Sequence, residues 1–64
     1  MSGNSKMGVK IFEENSCESL NKAINDWLSL NSSVTIIDSN IQVVKDPIFQ
    51  NALIYICIIS YRRW

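Results

Sequence analysis

The strongest constraint on this chain is an unbroken apolar run, Ala52 to Ile59, which contains four isoleucines and a tyrosine. A strand with one wet face alternates between apolar and polar residues, whereas a strand buried on both faces is continuously apolar. The run therefore predicts a central strand that needs cover on two sides. A chain of 64 residues has little material to supply that cover. The shortage predicts self-association.

The size of the chain leads to the same expectation. A domain this small buries only about 60% of its unfolded surface, and such domains are usually stabilised by disulfides, a metal or a partner chain. Cys17 and Cys57 stand forty residues apart and form no disulfide framework, and there is no histidine. Two isolated cysteines do not make a zinc site, so we expect no metal and no cofactor. A partner chain remains.

Charge and targeting signals narrow the class of protein. Six basic residues balance six acidic ones, which argues against general nucleic-acid binding. The opening residues lack the apolar segment of a secretory signal, and free cysteines suit a reducing, cytoplasmic location. The apolar stretch of residues 48–61 is interrupted by Gln50 and Asn51. Its clean part is shorter than the roughly 17 residues of a spanning helix, so we expect no membrane span.

The order of hydrophobic patterns predicts strand, helix, strand, strand. We expect a flexible leader over residues 1–8 and a single small domain over 9–64, with strands near 9–13, 34–44 and 52–61. Asn15 with Glu18, or Ser16 with Ser19, caps an amphipathic helix that runs to about Leu30. Asp38, Ser39 and Asn40 are poor strand formers and predict a bulge.

These elements predict an α+β fold with one helix on a three-stranded antiparallel sheet. The most apolar strand takes the middle, which gives the spatial order first, third, second. Its alternation offers Leu53, Tyr55, Cys57, Ile59 and Tyr61 to one side and Ala52, Ile54, Ile56, Ile58 and Ser60 to the other. Either set is apolar enough to lie under the helix. The set that does not would be bare.

We expect the bare face to be buried against a second copy, sheet to sheet, although a different protein could bury the same surface. Phe12 lies between Lys10 and Glu14 on an otherwise charged side of the first strand, which is a hint of a second buried surface. The predicted dimer interface contains Phe12, Ile54, Ile56 and Ile58.

Few residues offer chemistry. Cys17 falls in the first helical turn, where a thiol pKa drops, but no histidine is present to activate it and its position on the helix predicts a buried small side chain. Cys57 and Trp27 are expected in the core. Glu13, Glu14 and Glu18 are best explained as solvated charge at a helix start.

Two segments are candidates for contact with a partner or ligand. Tyr61, Arg62, Arg63 and Trp64 combine basic and aromatic groups that suit a phosphate or carboxylate; the alternative is a solubilising strand end. Ile48 and Phe49 are apolar for a loop that contains Pro47. They either fold back over the sheet edge or touch a partner.

Several short segments carry a resemblance to a known family. They are Val9-Lys10-Ile11-Phe12 before an acid, Leu20, Ala23 to Leu28, Ile36-Ile37-Asp38, Ile41-Gln42 and Ala52 to Tyr55. Over residues 9–59 this spacing resembles short firmicute proteins, also found in bacteriophage genomes, that are called small sporulation proteins. The last strand departs from that family by continuing through residues 58–64. The resemblance implies no enzymatic activity and no catalytic residue.

The sequence thus predicts a non-enzymatic homodimer that binds another cytoplasmic protein, for a phage-encoded chain an inhibitor of a host defence protein. The alternatives are a protein that sequesters a small molecule such as a nucleotide between its subunits, a structural protein of sporulation, and a membrane-associated micropeptide. Recovery of a stoichiometric protein partner, a co-purified ligand, or membrane fractionation distinguishes them.

Overall fold

The third strand of the chain lies at the centre of the sheet, as the apolar run predicts. The structure, a computed structural model, describes residues 6–64. It contains β1 (Lys6–Glu14), α1 (Cys17–Leu30), β2 (Val34–Lys45) and β3 (Leu53–Arg63). The sheet order is β1-β3-β2, with both neighbours antiparallel to β3. The predicted α+β class, element order and strand order are confirmed.

The core lies between α1 and one face of the sheet. Its buried side chains are Phe12, Leu20, Cys57 and Ile59, and Ala23, Ile24, Trp27, Tyr55 and Tyr61 pack against them. The helix therefore covers the side of β3 that contains Cys57 and Ile59. This settles the choice between the two sets that alternation left open, and it confirms Cys57 and Trp27 as members of the core or its immediate surround.

The expectation that Phe12 belongs to a dimer interface is wrong. Phe12 pairs with Cys57 across the β1–β3 ladder, so the two side chains share a face, and Phe12 is only 7% exposed. Its ring meets Trp27 edge to face, with centroids 5.9 Å apart. Lys10 and Glu14, its neighbours on the same side of β1, are partly exposed to solvent at the edge of this narrow core. Ile11, paired with Ile58, occupies the uncovered side instead.

The helix begins at the second of the two predicted caps. Ser16 has extended backbone, and its hydroxyl oxygen accepts a hydrogen bond from the Ser19 backbone N–H at 3.1 Å. At the other end the Asn31 amide donates to the Trp27 carbonyl, and Arg63 of β3 donates to the Asn31 side-chain oxygen at 2.9 Å. A cation near the last carbonyls suits the negative end of the helix dipole. Arg63 thereby fastens β3 to the helix.

Two boundaries differ from the sequence prediction. Residues 1–5 of the expected leader lie outside the described residues, but Lys6 to Gly8 belong to β1 and pair with the end of β3. Because β3 continues to Arg63, these three residues have partners in the ladder. The predicted first strand began only at residue 9. An irregularity in β2 is present but lies one residue earlier than predicted: the register shifts between Ile36 and Asp38, whereas Asp38, Ser39 and Asn40 pair regularly with β3.

Gly8 makes room for an aromatic side chain. It pairs with Tyr61, and a Cβ atom at residue 8 would lie 2.5 Å from the Tyr61 ring. The backbone of Gly8 does not have a positive φ, so space rather than conformation requires glycine there. Tyr61 in turn packs against Trp27, with ring centroids 5.3 Å apart. The glycine thus allows β1 and β3 to pair while the Tyr61 ring packs against Trp27 of α1.

Gly8→Ala is expected to lower the free energy of unfolding by about 1–3 kcal/mol, because the added methyl displaces Tyr61 from Trp27. Where space allows, the same substitution stabilises a protein by about 0.4–1 kcal/mol, so the sign of the effect is diagnostic. Urea unfolding at a fixed protein concentration measures it. In a Tyr61→Ala background the cost should disappear; an unchanged cost in that background would contradict the packing described.

Candidate interaction surfaces

Within residues 6–64 no helix lies over one face of the sheet, and we call it the open face. Ladder pairing places on it Met7, Val9, Ile11 and Glu13 from β1, Ile54, Ile56, Ile58, Ser60 and Arg62 from β3, and Thr35, Asp38, Asn40, Gln42 and Val44 from β2. Three of the four residues predicted for the dimer interface, Ile54, Ile56 and Ile58, lie here. Their part in an interface stays a prediction.

The open face is divided lengthwise into an apolar and a polar half. On the β1 side, Met7, Val9 and Ile11 are each 60–62% exposed, and the three isoleucines of β3 lie beside them, half-buried. On the β2 side the residues level with Met7, Val9 and Ile11 are Thr35, Asp38 and Asn40, and Gln42 follows them along the strand. A single polar or apolar face would fit many partners. A divided face fits only a surface divided in the same way.

Charges of opposite sign lie at the two ends of the open face. Arg62 pairs with Met7 and Thr35 at one end, whereas Glu13 pairs with Ile56 near the other. The two positions are about six residues apart along β3, which is about 20 Å of strand. Neither side chain forms an ion pair within residues 6–64. The Nε atom of Arg62 is buried without a hydrogen-bond partner there, and its guanidinium lies 5.4 Å from the Trp64 ring.

The four C-terminal residues predicted to hold a ligand do not form one site within the chain. Because side chains alternate along a strand, Tyr61 and Arg63 point to the helix side, where Tyr61 packs on Trp27 and Arg63 bonds to Asn31. Arg62 belongs to the open face, and Trp64 donates from Nε1 to the Thr35 hydroxyl of that face at 2.9 Å. Tyr61 and Arg63 are therefore part of the structural core and its rim.

A second exposed apolar surface lies on the helix side of β2, which sequence reasoning missed. Helix α1 packs on β1 and β3. The helix-side residues of β2 are left uncovered beside Leu53: Ile36, Ile41 and Val43 are 42%, 62% and 51% exposed. A helix is about 10 Å wide and strands are about 4.8 Å apart, so one helix covers about two strands. This comparison of the width of one helix with the width of three strands could have predicted the exposed surface.

The loop before β3 displays two large apolar side chains. Ile48 and Phe49 are 79% and 67% exposed, so they do not fold back over the sheet edge. The Asp46 carboxylate accepts hydrogen bonds from the backbone N–H groups of Ile48 (2.8 Å) and Phe49 (3.0 Å). These two bonds lower the pKa of Asp46 below its usual 3.8, and the bond from Phe49 contributes more than the bond from Ile48. Contact of Ile48 and Phe49 with a partner stays a prediction.

The cysteines differ from each other and partly from expectation. Cys57 is buried, and desolvation raises the pKa of its thiol. Cys17 is exposed, so the prediction that it is a buried side chain is wrong. Its position in the first turn places it at the edge of the helix–sheet contact, near Tyr55. The charge of Cys17 and a hydrogen bond with it raise the pKa of the Tyr55 hydroxyl.

One cleft of the described residues is acidic and shallow. It has a volume of about 320 Å3 and is lined by Glu13, Glu14, Asn15, Asp46 and Ile54. Within residues 6–64, no three acidic or cysteine side chains are grouped closely enough to hold a metal ion. In the same part of the chain, no helix has the length and apolar character needed to cross a membrane.

Asp46→Ala is expected to free the loop, because the carboxylate fixes the backbone of Ile48 and Phe49. Amide hydrogen exchange at those two residues should become faster, while exchange in β3 stays unchanged. The depressed pKa gives a second expectation. The contribution of Asp46 is complete above its unfolded pKa and is lost as the pH falls through the folded pKa, which is lower, so only acidification to below the folded pKa should mimic the substitution.

The matched control for that experiment is Asp26→Ala. Asp26 is also an exposed aspartate, but its carboxylate pairs with Lys22 on the outer face of α1. Its removal should leave exchange at Ile48 and Phe49 as in the wild type. Equal exchange at these two amides in the wild type and Asp46→Ala would show that the carboxylate does not hold the loop.

Comparison of the chain with profiles of known protein families, with curated proteins and with solved structures gave no match. The resemblance to small sporulation proteins accordingly stays a prediction from the sequence.

Proposed function

We propose that this chain is a non-enzymatic binding module that associates with itself through the open face and binds a second protein through the remaining apolar surface. The observation that carries the proposal is the exposure of large apolar side chains on both sides of one small sheet. Met7, Val9 and Ile11 are exposed on one side, and Ile41 and Val43 on the other. Exposed apolar surfaces of this kind mark interaction sites.

The dimensions of the open face support self-association. Strands of about nine residues, with a rise of about 3.3 Å and a spacing of about 4.8 Å, give a face of roughly 30 by 14 Å, or about 400 Å2 as a flat area. Side chains make the accessible surface larger than this flat area. The surface that two such faces bury together therefore exceeds the roughly 800 Å2 in total that incidental contacts bury. At about 25 cal/mol per Å2, their burial contributes several kcal/mol before the costs of association.

The second surface supports the binding of a different protein. It combines the helix side of β2 with the loop that displays Ile48 and Phe49, at the end of the sheet where Lys45 pairs with Leu53. Packing two open faces together leaves all of these residues accessible. We propose a cytoplasmic protein as the partner, and a bacterial host protein inhibited by occupation of its surface if the chain is encoded by a phage. The resemblance to small sporulation proteins supports that last step.

Two isoleucines with nearly equal exposure on opposite sides of the sheet provide a matched pair of variants. Ile11 is 60% exposed on the open face, and Ile41 is 62% exposed on the helix side of β2. Ile11→Lys should weaken the dimer roughly a hundredfold or more, because the twofold axis places the unfavourable charge in the interface twice. Ile41→Lys should leave the dimer intact. Sedimentation equilibrium measures both dissociation constants.

The outcome that would contradict the proposed self-association is a folded wild-type chain that remains a monomer at micromolar concentration. Equal weakening of the dimer by Ile11→Lys and Ile41→Lys would instead show that the open face is not the interface. Far-ultraviolet circular dichroism of each variant establishes that the fold is retained, so that a change in mass reports association.

A further inference from the structure

The distribution of apolar, polar and charged residues on the open face favours one orientation of a second copy. This inference depends on the proposed self-association. Two sheets that pack face to face in a twofold dimer have their axis in the plane between them. An axis parallel to the strands keeps the strands parallel and lays β1 of one copy over β2 of the other. An axis across the strands makes them antiparallel and lays β1 over β1, β3 over β3 and β2 over β2.

The division of the open face into an apolar β1 side and a polar β2 side favours the arrangement with antiparallel strands. With the axis parallel to the strands, the apolar half meets the polar half: Val9 and Asp38, which both pair with Ser60, would face each other between copies. That contact buries a carboxylate against an apolar side chain, which is costly. With the axis across the strands, the apolar β1–β3 half meets its own copy. The polar residues of β2 then meet each other, where they can exchange hydrogen bonds.

The charges along the strands favour the same arrangement independently. With parallel strands, Arg62 of one copy lies over Arg62 of the other, at the spacing of about 10 Å between packed sheets. With antiparallel strands and an axis passing near Ile58 and Ser60, the level of Arg62 coincides with that of Ile56 in the second copy. Glu13 pairs with Ile56 in the ladder, so it lies one strand away from that position. Opposite charges then meet at both ends of the interface.

We propose that two copies pack by their open faces with antiparallel strands, each Arg62 guanidinium reaching Glu13 of the other copy. The arrangement supplies a carboxylate partner for Arg62, which forms no ion pair within residues 6–64. The parallel alternative is disfavoured, because it brings like charges together and places polar residues against apolar ones. Aligned sheets cross at about 30°, which the length of the arginine side chain accommodates.

Charge exchange between the two residues tests this arrangement. Arg62→Glu and Glu13→Arg should each raise the dissociation constant of the dimer roughly tenfold, since either change places like charges at both ends of the interface. The double variant, Arg62→Glu with Glu13→Arg, should restore the dimer to within about threefold of the wild type. Lys6→Glu and Glu14→Arg reverse charges on the helix side of β1 and should leave the dissociation constant unchanged.

Distance measurement gives a readout that does not depend on the folding of charge variants. In a chain with Trp64→Cys, Cys17→Ser and Cys57→Ala, spin labels attached at residue 64 should lie roughly 30 Å apart in the antiparallel dimer and about 10 Å apart in the parallel one. A short distance, or a double variant as weak as the singles, would overturn the arrangement while leaving self-association in place. A wild-type chain that does not dimerise would overturn both.

Discussion

The structure depends on a mismatch in width between one helix and three strands. A helix about 10 Å wide covers about two strands of a sheet, and α1 covers β1 and β3. The remaining strand, β2, is exposed along nearly its whole length, and no other element of residues 6–64 covers the reverse side of the sheet. A longer protein would add a second helix on each side. We propose that other molecules supply the missing cover.

The covered part is held by a small set of well-packed groups. Trp27 of α1 lies edge to face against both Phe12 of β1 and Tyr61 of β3, so one indole joins all three elements. Tyr61 has room because its neighbour on β1 is Gly8, and Arg63 links the same end of β3 to the helix terminus through Asn31. These contacts determine which side of β3 faces the helix. They thereby determine which isoleucines remain on the open face.

Much of this was predictable from periodicity, and the failures have identifiable physical causes. The run from Ala52 to Ile59 predicted the central strand because a continuous apolar pattern requires cover on two sides. Either set of alternating side chains on β3 was apolar enough for the core, so pattern alone could not place Phe12, and only the ladder partner Cys57 shows that it lies under the helix. The exposure of Cys17 and of the β2 isoleucines depends on where the helix axis crosses the sheet, which residue spacing does not contain.

Burial of the open face between two copies is the central claim, and a comparison of methyl groups in one sample tests it most directly. Ile11 and Ile41 are 60% and 62% exposed in the single chain, whereas Ile59 is 2% exposed. A soluble paramagnetic probe relaxes methyl groups according to their access to solvent. The account predicts that in micromolar protein the Ile11 methyl is protected nearly as well as that of Ile59, while Ile41 is strongly relaxed. Equal relaxation of Ile11 and Ile41 would contradict it.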